Sequence, residues 1–332
     1  MSRLILYAQN GSSLGEMRIN LDRTWAINNT GQSTAVLSAE NAAKGWANFG
    51  RMVSVEHAKL APWAGVIDTP WQATLPAQMT VYNAGYLLHL RAPAASQTIS
   101  GTTAGIVSKL IEQANQAEDL RLRVGEMDFD DSSRAEKFDR RDYWTLILEL
   151  VIKAGYELQM RPGRDGLNRL VVYVDVQRRV GADTGYLLHD GEAANIEVSD
   201  AQVDGELWNC VTGIGSQQIP MVGNTQRDEK SIAAYRLRSE TKQWQGADAK
   251  TVLNSYALVE IARAQPKLTL KVNGLDVGDT FKQLRLGNTF IVHASQIYLP
   301  GGVKGWRGSA RITAMAYNEA TNKVGLNLEA YL

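Results

Sequence analysis

The sequence predicts a mainly β protein with an inserted α+β module, and three observations support this fold class. Residues 24–68 alternate apolar with small or polar residues in short runs, which is typical of antiparallel strands. Residues 98–190 contain two stretches with helical periodicity, followed by a hairpin pattern. Strand patterns then return and continue to the C-terminus. The predicted order along the chain is therefore β, then α+β, then β.

The N-terminal region, residues 1–97, is predicted to form the first β domain. Within it, short apolar runs end at turn residues such as Asn29-Thr30-Gly31, where glycine permits a positive φ. Period-two strands joined by short turns predict an antiparallel sheet that curls into a barrel or sandwich. The predicted strands cover residues 4–7, 25–28, 34–37, 52–57 and 63–67, with two more between 79 and 91.

Residues 98–190 are predicted to form a compact α+β insertion domain. Ser100-Gly-Thr-Thr103 is predicted to cap a helix whose apolar face is Ile106, Val107, Leu110, Ile111 and Ala114. A second helix, from about Asp139, has the stripe Tyr143, Leu146, Ile147, Leu150, Val151 and Ala154 and stops at Gly155. Pro162-Gly163-Arg164-Asp165-Gly166 is then predicted to be the turn of a hairpin.

The C-terminal region, residues 191–332, is predicted to return to strands and to contain the second β domain. Residues 216–250 are rich in charged, glutamine and glycine residues, and this composition predicts an exposed loop or extended arm. Asp248 is a predicted cap for a helix with Leu253, Tyr256, Ala257 and Ile261 on its apolar face, stopped by Pro266. The predicted strands are residues 195–198, 208–214, 267–272, 289–293, 311–317 and 324–332.

Composition limits the classes of partner. The chain of 332 residues carries 35 basic and 35 acidic side chains, so its formal net charge is zero. This balance argues against bulk nucleic acid or an anionic membrane as the main partner. The aromatic residues are mostly amphipathic, with eight Trp and 12 Tyr against five Phe. Such side chains are suited to half-buried interfaces as well as to cores, so the composition points weakly to assembly with other chains. No signal peptide or membrane span is expected, so the chain is predicted to be made, and to assemble, in the cytoplasm.

Reactive residues are sparse and scattered, which predicts a protein that is not an enzyme and holds no cofactor or metal. The single cysteine, Cys210, lies in a strand pattern and is expected to be a buried, inert thiol. The four histidines (His57, His89, His189 and His293) show no metal-binding spacing. Asp128-Phe-Asp-Asp131 lacks the glycine and terminal glutamate of a calcium loop, and Gly213-Ile-Gly215 lacks the third glycine of a dinucleotide site.

One passage of the sequence has a later counterpart. Gly50 is followed by a strand ending in His57 and then by Trp63-Ala-Gly65, while Gly287 is followed by a strand ending in His293 and then by Trp306-Arg-Gly308. Two interpretations remain open at this point: coincidence among common strand and turn residues, or duplication of one barrel-like unit.

Several short motifs resemble the baseplate hub proteins of tailed phages. The N-terminal pattern of that family is matched by Trp25, Gly50, Val53, Val55, Trp63, Gly65 and Ile67. The helix around residues 102–115, the passage Leu207-Trp-Asn-Cys-Val211-Thr-Gly213 and the passage Leu284-Arg-Leu-Gly287-Asn288 are also similar, although the family often has Asp where Asn288 stands.

This resemblance implies a structural role. Hub proteins of this family are trimers at the tail tip, and each chain carries two tail-tube-like β domains, so three chains present six near-equivalent surfaces to a six-fold tail ring. The expected partners are further copies of the chain, distal tail or tail-tube proteins, the tape-measure protein and tail-tip or fibre proteins, with DNA passing transiently through an axial channel. The expected location is the virion tail tip, after assembly in the host cytoplasm. The interface candidates are Trp25, Trp63, Trp208, Tyr235, Trp244 and Trp306.

Three alternatives remain. A hexameric distal tail ring protein would share the β-rich opening but need only one tube-like domain. A tail-associated cell-wall hydrolase would need a clustered acid, base or metal site. A glycan-binding module would use exposed tryptophans such as Trp63 or Trp306 for stacking on sugars.

Overall fold

The computed structural model describes residues 2–17, 20–45, 47–58, 60–68, 77–128, 133–189, 195–198, 207–216, 220–244, 247, 249–265, 267–276, 284–299 and 304–331. Strands dominate these residues, with 21 strands against six helices, several of them short. The predicted fold class, mainly β with an inserted α+β module, is therefore confirmed. The strands form several open sheets, which pack as layers, and none of the described sheets closes on itself.

The N-terminal region forms the first sheet. Its elements are β1 (Arg3–Tyr7), β2 (Ser13–Met17), β3 (Arg23–Ala26), β4 (Gln32–Leu37), α1 (Ala39–Ala43), β5 (Met52–Glu56), β6 (Trp63–Ile67) and β7 (Ala77–Asn83). Six of these strands hydrogen-bond in the order β2-β1-β5-β6-β7-β4, and every described pairing is antiparallel. Strand β3 leaves this sheet and pairs elsewhere.

The inserted module follows. It contains α2 (Tyr86–His89), β8 (Gln97–Gly101), α3 (Thr103–Gln116), β9 (Leu122–Met127), β10 (Arg134–Phe138), α4 (Tyr143–Lys153), β11 (Glu157–Arg164) and β12 (Leu170–Gln177). The two predicted helices are confirmed, since Thr102 caps α3, Asp142 caps α4 and Gly155 adopts a φ of 79° after α4. Helices α3 and α4 pack on the three-stranded sheet β11-β12-β9.

The chain then forms β13 (Asp183–His189) and β14 (Asn195–Val198), followed by a small module. This module contains β15 (Cys210–Gly215), β16 (Gln226–Arg227), α5 (Glu229–Tyr235), β17 (Ser239–Trp244) and α6 (Lys250–Arg263). The apolar face predicted for the last helix is buried, with Leu253, Tyr256, Ala257 and Ile261 packed on β15 and β17. The predicted cap Asp248 and stop Pro266 lie outside the described residues.

The last sheet combines both ends of the chain. Its elements are β18 (Lys267–Asp276), β19 (Thr289–Tyr298), β20 (Lys304–Asn318) and β21 (Lys323–Tyr331) together with β13 and β14, in the order β13-β19-β20-β21-β18-β14. Strand β3 pairs with residues 314–317 of β20, beyond the stretch of β20 that pairs with β19. The N-terminal region therefore supplies the seventh strand of the C-terminal sheet.

The two large sheets share one strand order. In the first sheet, neighbours follow the order β1-β5-β6-β7-β4, and in the second they follow β13-β19-β20-β21-β18. In each sheet, the first strand in sequence (β1 or β13) lies at one end and the second (β4 or β18) at the other. The last three strands, β5-β6-β7 or β19-β20-β21, lie between them in sequence order. One pairing differs, because β1 runs antiparallel to β5 whereas β13 runs parallel to β19. This shared order favours duplication over coincidence.

The central strands β1, β5 and β6 of the first sheet are buried on both faces, which explains why they are apolar at successive positions, whereas the edge strand β4 alternates exposed with buried residues. Leu4 and Leu6 face a core shared with the C-terminal sheet, while Ile5 and Tyr7 face the helices of the α+β module. Since side chains alternate across a strand, a sheet covered on both sides needs apolar residues at both sets of positions. Residues of both β regions fill the shared core, and the domain boundaries at 97/98 and 190/191 stay a prediction.

The repeated sequence passages form similar local structures. Gly50 and Gly287 both adopt positive φ, 76° and 78°, at the start of an antiparallel pair. Gly65 and Gly308 each lie against the ring of the tryptophan two residues earlier. The strand register differs between the two copies. Trp63 lies opposite Val55, the fifth residue after Gly50, whereas Trp306 lies opposite Ala294, the seventh residue after Gly287.

Replacing Gly65 by alanine should lower the free energy of unfolding by about 3 kcal/mol, because overpacking a rigid core is costly. The added Cβ would lie 2.4 Å from the Tyr82 carbonyl oxygen and 2.4 Å from the Trp63 ring. Gly308→Ala should cost about 1 kcal/mol, since the nearest atoms all belong to the side chain of Trp306, which is only half-buried, and none to the backbone. Urea denaturation of both variants measures the difference, and equal losses would contradict it.

One predicted strand and one predicted turn differ from the structure. The second strand predicted between residues 79 and 91 is the short helix α2, in which Leu87 and Leu88 are both buried. A short apolar run does not distinguish a strand from a helical turn. The predicted hairpin is present, but β11 continues through Pro162-Gly163, and the turn lies at residues 165–169. Proline is tolerated there because β11 is the edge strand of its sheet.

The region predicted as an exposed loop or arm is folded where the structure describes it. Residues 226–227 and 239–244 are strands that flank β15, and residues 229–235 are a helix capped by Asp228. Strand β17 has the sequence Ser-Glu-Thr-Lys-Gln-Trp, and only its Trp244 is buried. A strand with so few apolar residues has the amino-acid composition of a loop, which is why the sequence predicts a loop or arm here instead of a strand.

Candidate assembly surfaces

The structure distributes the six predicted interface aromatics between core and surface. Trp25, Trp63 and Trp244 are buried, Trp208 and Trp306 are half-buried, and the Tyr235 side chain is exposed. Their role in assembly stays a prediction. The two buried tryptophans of the first region differ in one respect that the sequence does not reveal, namely the hydrogen bonding of the indole nitrogen.

The indole N–H of Trp63 donates to the carbonyl oxygen of Thr24 at 3.0 Å. The indole N–H of Trp25 is buried, and it has no hydrogen-bond acceptor among the residues that the structure describes. Trp25 lines a cavity of about 260 Å³ at the junction of β3, β11 and residues 285–286. The nitrogen itself has almost no accessible surface, so other atoms of the Trp25 ring line the cavity.

The C-terminal sheet presents an apolar edge. Strand β13 lies at one end of the strand order in the described residues. Leu187 of β13 lies beside Ile291 of β19, and their side chains are 55% and 37% exposed. Tyr186 and Tyr298 are exposed on the same two strands. Exposed apolar groups on an unpaired strand edge are typical of surfaces that another chain covers.

A charged cleft of about 710 Å³ lies where the α+β module, the C-terminal sheet and α6 meet. Across it, both terminal nitrogens of Arg311 donate to the carboxylate of Glu157 at 2.5 Å. Arg311 also donates to the carbonyl oxygens of Val180 and Gly287, and Glu157 accepts from the Val180 N–H. This bidentate pair fastens β11 to the C-terminal sheet.

Other perturbed charges have structural partners. Hydrogen bonds from Arg123 hold the pKa of the Asp119 carboxyl well below its usual range, and hydrogen bonds from Arg121 do the same for the pKa of Asp165. The Arg121 side chain is buried between these two carboxylates. Burial lowers the pKa of Arg23, while the Glu319 carboxylate at 2.9 Å opposes that shift. Each of these shifted groups therefore has a partner of opposite charge within the fold.

The histidines lie in three places. His57 contacts the Tyr317 ring, and His89 lies 3.0 Å from the Asp142 carboxylate. His189 and His293, which are far apart in sequence, occupy paired positions on β13 and β19 with ring centroids 4.6 Å apart. In the described residues, no three His, Cys, Asp or Glu side chains lie close enough together to bind a metal ion.

Cys210 is a free, buried thiol, as predicted. No described helix has the length and hydrophobicity to cross a membrane.

Searches with protein-family models and among curated protein sequences found no match. Solved structures do match over almost the full chain. A prophage tail protein, gp18 from Listeria monocytogenes EGD-e, has a TM-score of 0.62 at 14% identity, covering 98% of this chain and 94% of that chain. The 43 kDa tail protein of prophage MuSo2 from Shewanella oneidensis has a TM-score of 0.58 at 12% identity, covering 98% and 97%.

A third structure is the E. coli c3393 protein, described as a component of the type VI secretion system with structural similarity to T4 phage tail proteins gp27 and gp5. It has a TM-score of 0.50 at 12% identity, covering 95% of this chain and 73% of that chain. At such low identity, the likeness concerns the arrangement of the backbone. The chain therefore has the fold of phage tail proteins.

Proposed function

We propose that the chain is a structural subunit of a phage tail, acting as a trimeric hub that joins a six-fold tail tube or distal tail ring to a three-fold tip. The observation that carries this proposal is the end-to-end likeness of the fold to two prophage tail proteins, with more than nine-tenths of each chain covered. The proposal includes a non-enzymatic role at the virion tail tip and an axial channel through which DNA passes.

The shared strand order of the two large sheets supports the hub in particular. A trimer of chains with two similar sheets has six similar surfaces around one axis, and such a ring docks on a six-fold partner without breaking symmetry. A hexameric ring protein has no need for two such sheets in one chain. The neutral net charge suits a channel through which DNA moves, since dense basic residues would retain it.

The apolar edge of the C-terminal sheet is the proposed contact between copies. Leu187→Glu should place a charge in that contact and shift the purified protein from trimer to monomer, weakening association at least tenfold. Leu167→Glu is the matched control, because Leu167 is 72% exposed at the tip of the β11–β12 hairpin, away from that edge. Light scattering coupled to size exclusion measures the mass.

A wild-type mass near three times the 36.5 kDa of one chain is expected. A monomer at all concentrations would contradict the hub, and a mass of six chains would favour the distal ring. Clearing of bacterial cell wall in a zymogram would favour the hydrolase instead. A trimer that Leu187→Glu leaves intact would move the interface to another surface.

The type VI likeness favours a second candidate, a subunit of a tail-like secretion apparatus. Mass spectrometry of purified phage particles from the producing strain distinguishes the two. Peptides of this chain in the virion, at about half the copy number of a six-fold ring protein, support the phage hub. Their absence from virions, with the chain retained in a cell-envelope assembly, supports the secretion apparatus.

A further inference from the structure

A groove of about 440 Å³ lies between helices α4 and α6. Leu148 and Ile152, one helical turn apart on α4, line one side of it, and Val259 of α6 lines the other. Residues 133–189 and 249–265, which contain the two helices, are described without a gap. The volume falls within the roughly 300–1,000 Å³ that is usual for binding pockets.

The groove lies where two hydrophobic cores meet. Trp144 belongs to the core of the α+β module and Trp244 to the core of the small module that contains α6, and both tryptophans line the groove. Leu148 and Ile152 beside them are only half-buried. Apolar side chains left partly exposed in a groove are typical of a surface that another chain covers. Trp244, one of the six predicted interface aromatics, therefore lies where such a chain would dock.

The charged side chains of the groove are unevenly compensated. Its two acidic residues, Glu149 and Glu260, each pair with a basic residue outside the lining. Its basic residues Lys153 and Arg263 lie in the last turns of α4 and α6, and neither forms an ion pair or a side-chain hydrogen bond with any residue that the structure describes. The described lining of the groove therefore offers two positive charges to a ligand and no free carboxylate.

The groove continues into the charged cleft beside the C-terminal sheet, since Ile152, Val259 and Arg263 line both. The two acidic residues in the described lining of that cleft already have basic partners within it, in the pairs Glu157–Arg311 and Glu329–Lys267. Charge complementarity at this end therefore favours a ligand that brings its own carboxylates.

We propose that this groove binds an apolar side chain followed by acidic residues on a neighbouring polypeptide of the tail. The apolar group contacts Leu148, Ile152 and Val259, and the carboxylates pair with Lys153 and Arg263. This inference rests on the proposed function, since it takes the partner to be another tail subunit. A nucleic acid fits less well, because the two tryptophans of the groove are only 4% and 8% exposed and leave little ring surface for base stacking.

A short peptide tests the site without the partner. The probe is acetyl-Leu-Phe-Glu-Glu-amide, titrated into the full chain labelled with ¹⁵N at its eight Trp indoles. The indole signals that Trp144→Phe and Trp244→Phe remove should shift. The double variant Lys153→Gln/Arg263→Gln should weaken binding about tenfold, because it removes both charge contacts. The uncharged peptide acetyl-Leu-Phe-Gln-Gln-amide should bind wild type about tenfold more weakly for the same reason.

The matched control is Lys109→Gln/Lys250→Gln. It makes the same change in net charge at two exposed lysines, on α3 and α6, that do not line the groove, and it should bind the acidic peptide like wild type. Equal binding by the two double variants, or tryptophan signals that do not move, would overturn the proposal. The same tryptophan shifts with an oligodeoxythymidylate, in the absence of any response to the peptide, would overturn it in favour of nucleic acid.

Exchanging the charges gives a test that an unfolded variant would fail. Lys153→Glu/Arg263→Glu should lose affinity for the acidic peptide and should bind acetyl-Leu-Phe-Lys-Lys-amide at least tenfold more tightly than wild type does. Equal affinity of wild type for the acidic and the basic peptide would show that charge does not select the occupant, and the proposal would fail.

Assembly gives the second readout and separates this inference from the hub role. Lys153→Gln/Arg263→Gln should keep the oligomeric mass of wild type, because the proposed contact between copies is the apolar edge of the C-terminal sheet, yet it should enter tail particles at least tenfold less than the control variant. If it enters them equally, the groove proposal fails and the hub role stands. If wild type forms no oligomer and is absent from virions, the hub role fails, and the peptide titration still decides whether the groove binds an acidic segment.

Discussion

Gly287→Ala should lower the free energy of unfolding by about 4 kcal/mol or more, because it combines a positive φ with the closest backbone approach among the glycines that the structure describes. Gly287 has a φ of 78°, and an added Cβ would lie 1.8 Å from the carbonyl oxygen of Val180 and 2.3 Å from its carbonyl carbon. The opposing atoms belong to backbone, and Gly181, whose φ is 86°, is pressed against the same turn. Neither segment has room to retreat.

Gly185→Ala is the control for the backbone cost alone. Gly185 has a φ of 69°, but no atom lies within 4 Å of an added Cβ, so its replacement should cost about 1 kcal/mol. Urea denaturation followed by circular dichroism measures both variants. Similar losses would mean that φ, rather than the close approach of two backbones, makes glycine necessary at position 287.

Glu157→Gln should destabilise the fold by about 3 kcal/mol, because it leaves Arg311 largely buried without its counter-charge. The two side chains are each 19% exposed, and the pair joins the α+β module to the C-terminal sheet. The loss should appear in thermal and urea unfolding alike.

Glu16→Gln breaks an ion pair on the surface that has a similar nitrogen–oxygen distance but joins the two side chains through one contact rather than two. The Arg3–Glu16 contact measures 2.7 Å, but its side chains are 60% and 48% exposed, so the change should cost less than about 1 kcal/mol. A loss as large as that of Glu157→Gln would show that burial does not set the strength of these pairs. A negligible loss for Glu157→Gln would show that packing alone joins the two parts.

Elements with a strong local pattern could be predicted from the sequence. The capping stretch at residues 100–103 and the apolar stripes of both helices are local signals, and α3 and α4 contain those stripes. The start of α4 is less well predicted, because the helix begins at Tyr143 after the cap Asp142 rather than near Asp139. The apolar runs of β1 and β6 are predicted as strands, but their burial on both faces follows from the layers that cover them and was not predicted. Residues 216–250 could not be predicted in this way, because β16 has two residues and β17 exposes most of its side chains.

The candidate sites depend on contacts between distant residues, and their sequence signal is correspondingly weak. Trp25 and Trp63 have similar local patterns, and only the Thr24 carbonyl distinguishes the bonded indole from the unpaired one. The passage Leu284-Arg-Leu-Gly287-Asn288 is recognisable as a motif, but the structural requirement for its last two residues comes from residues 180–182, which are far away in sequence. Gly287 contacts Val180, and the Asn288 side chain accepts from the Ala182 N–H, an acceptor that Asp would also supply.

The exchange of β3 into the C-terminal sheet has a consequence for biosynthesis. A ribosome releases residues 3–83 long before β20, yet β3 has no neighbour in the C-terminal sheet until residues 314–317 emerge. Until then, one apolar face of the first sheet is exposed to solvent, because the C-terminal sheet that covers it has not yet been translated. Contacts of such long sequence separation slow folding and invite aggregation of the nascent chain. Maturation of this subunit is thus a post-translational event that waits for the final hairpin.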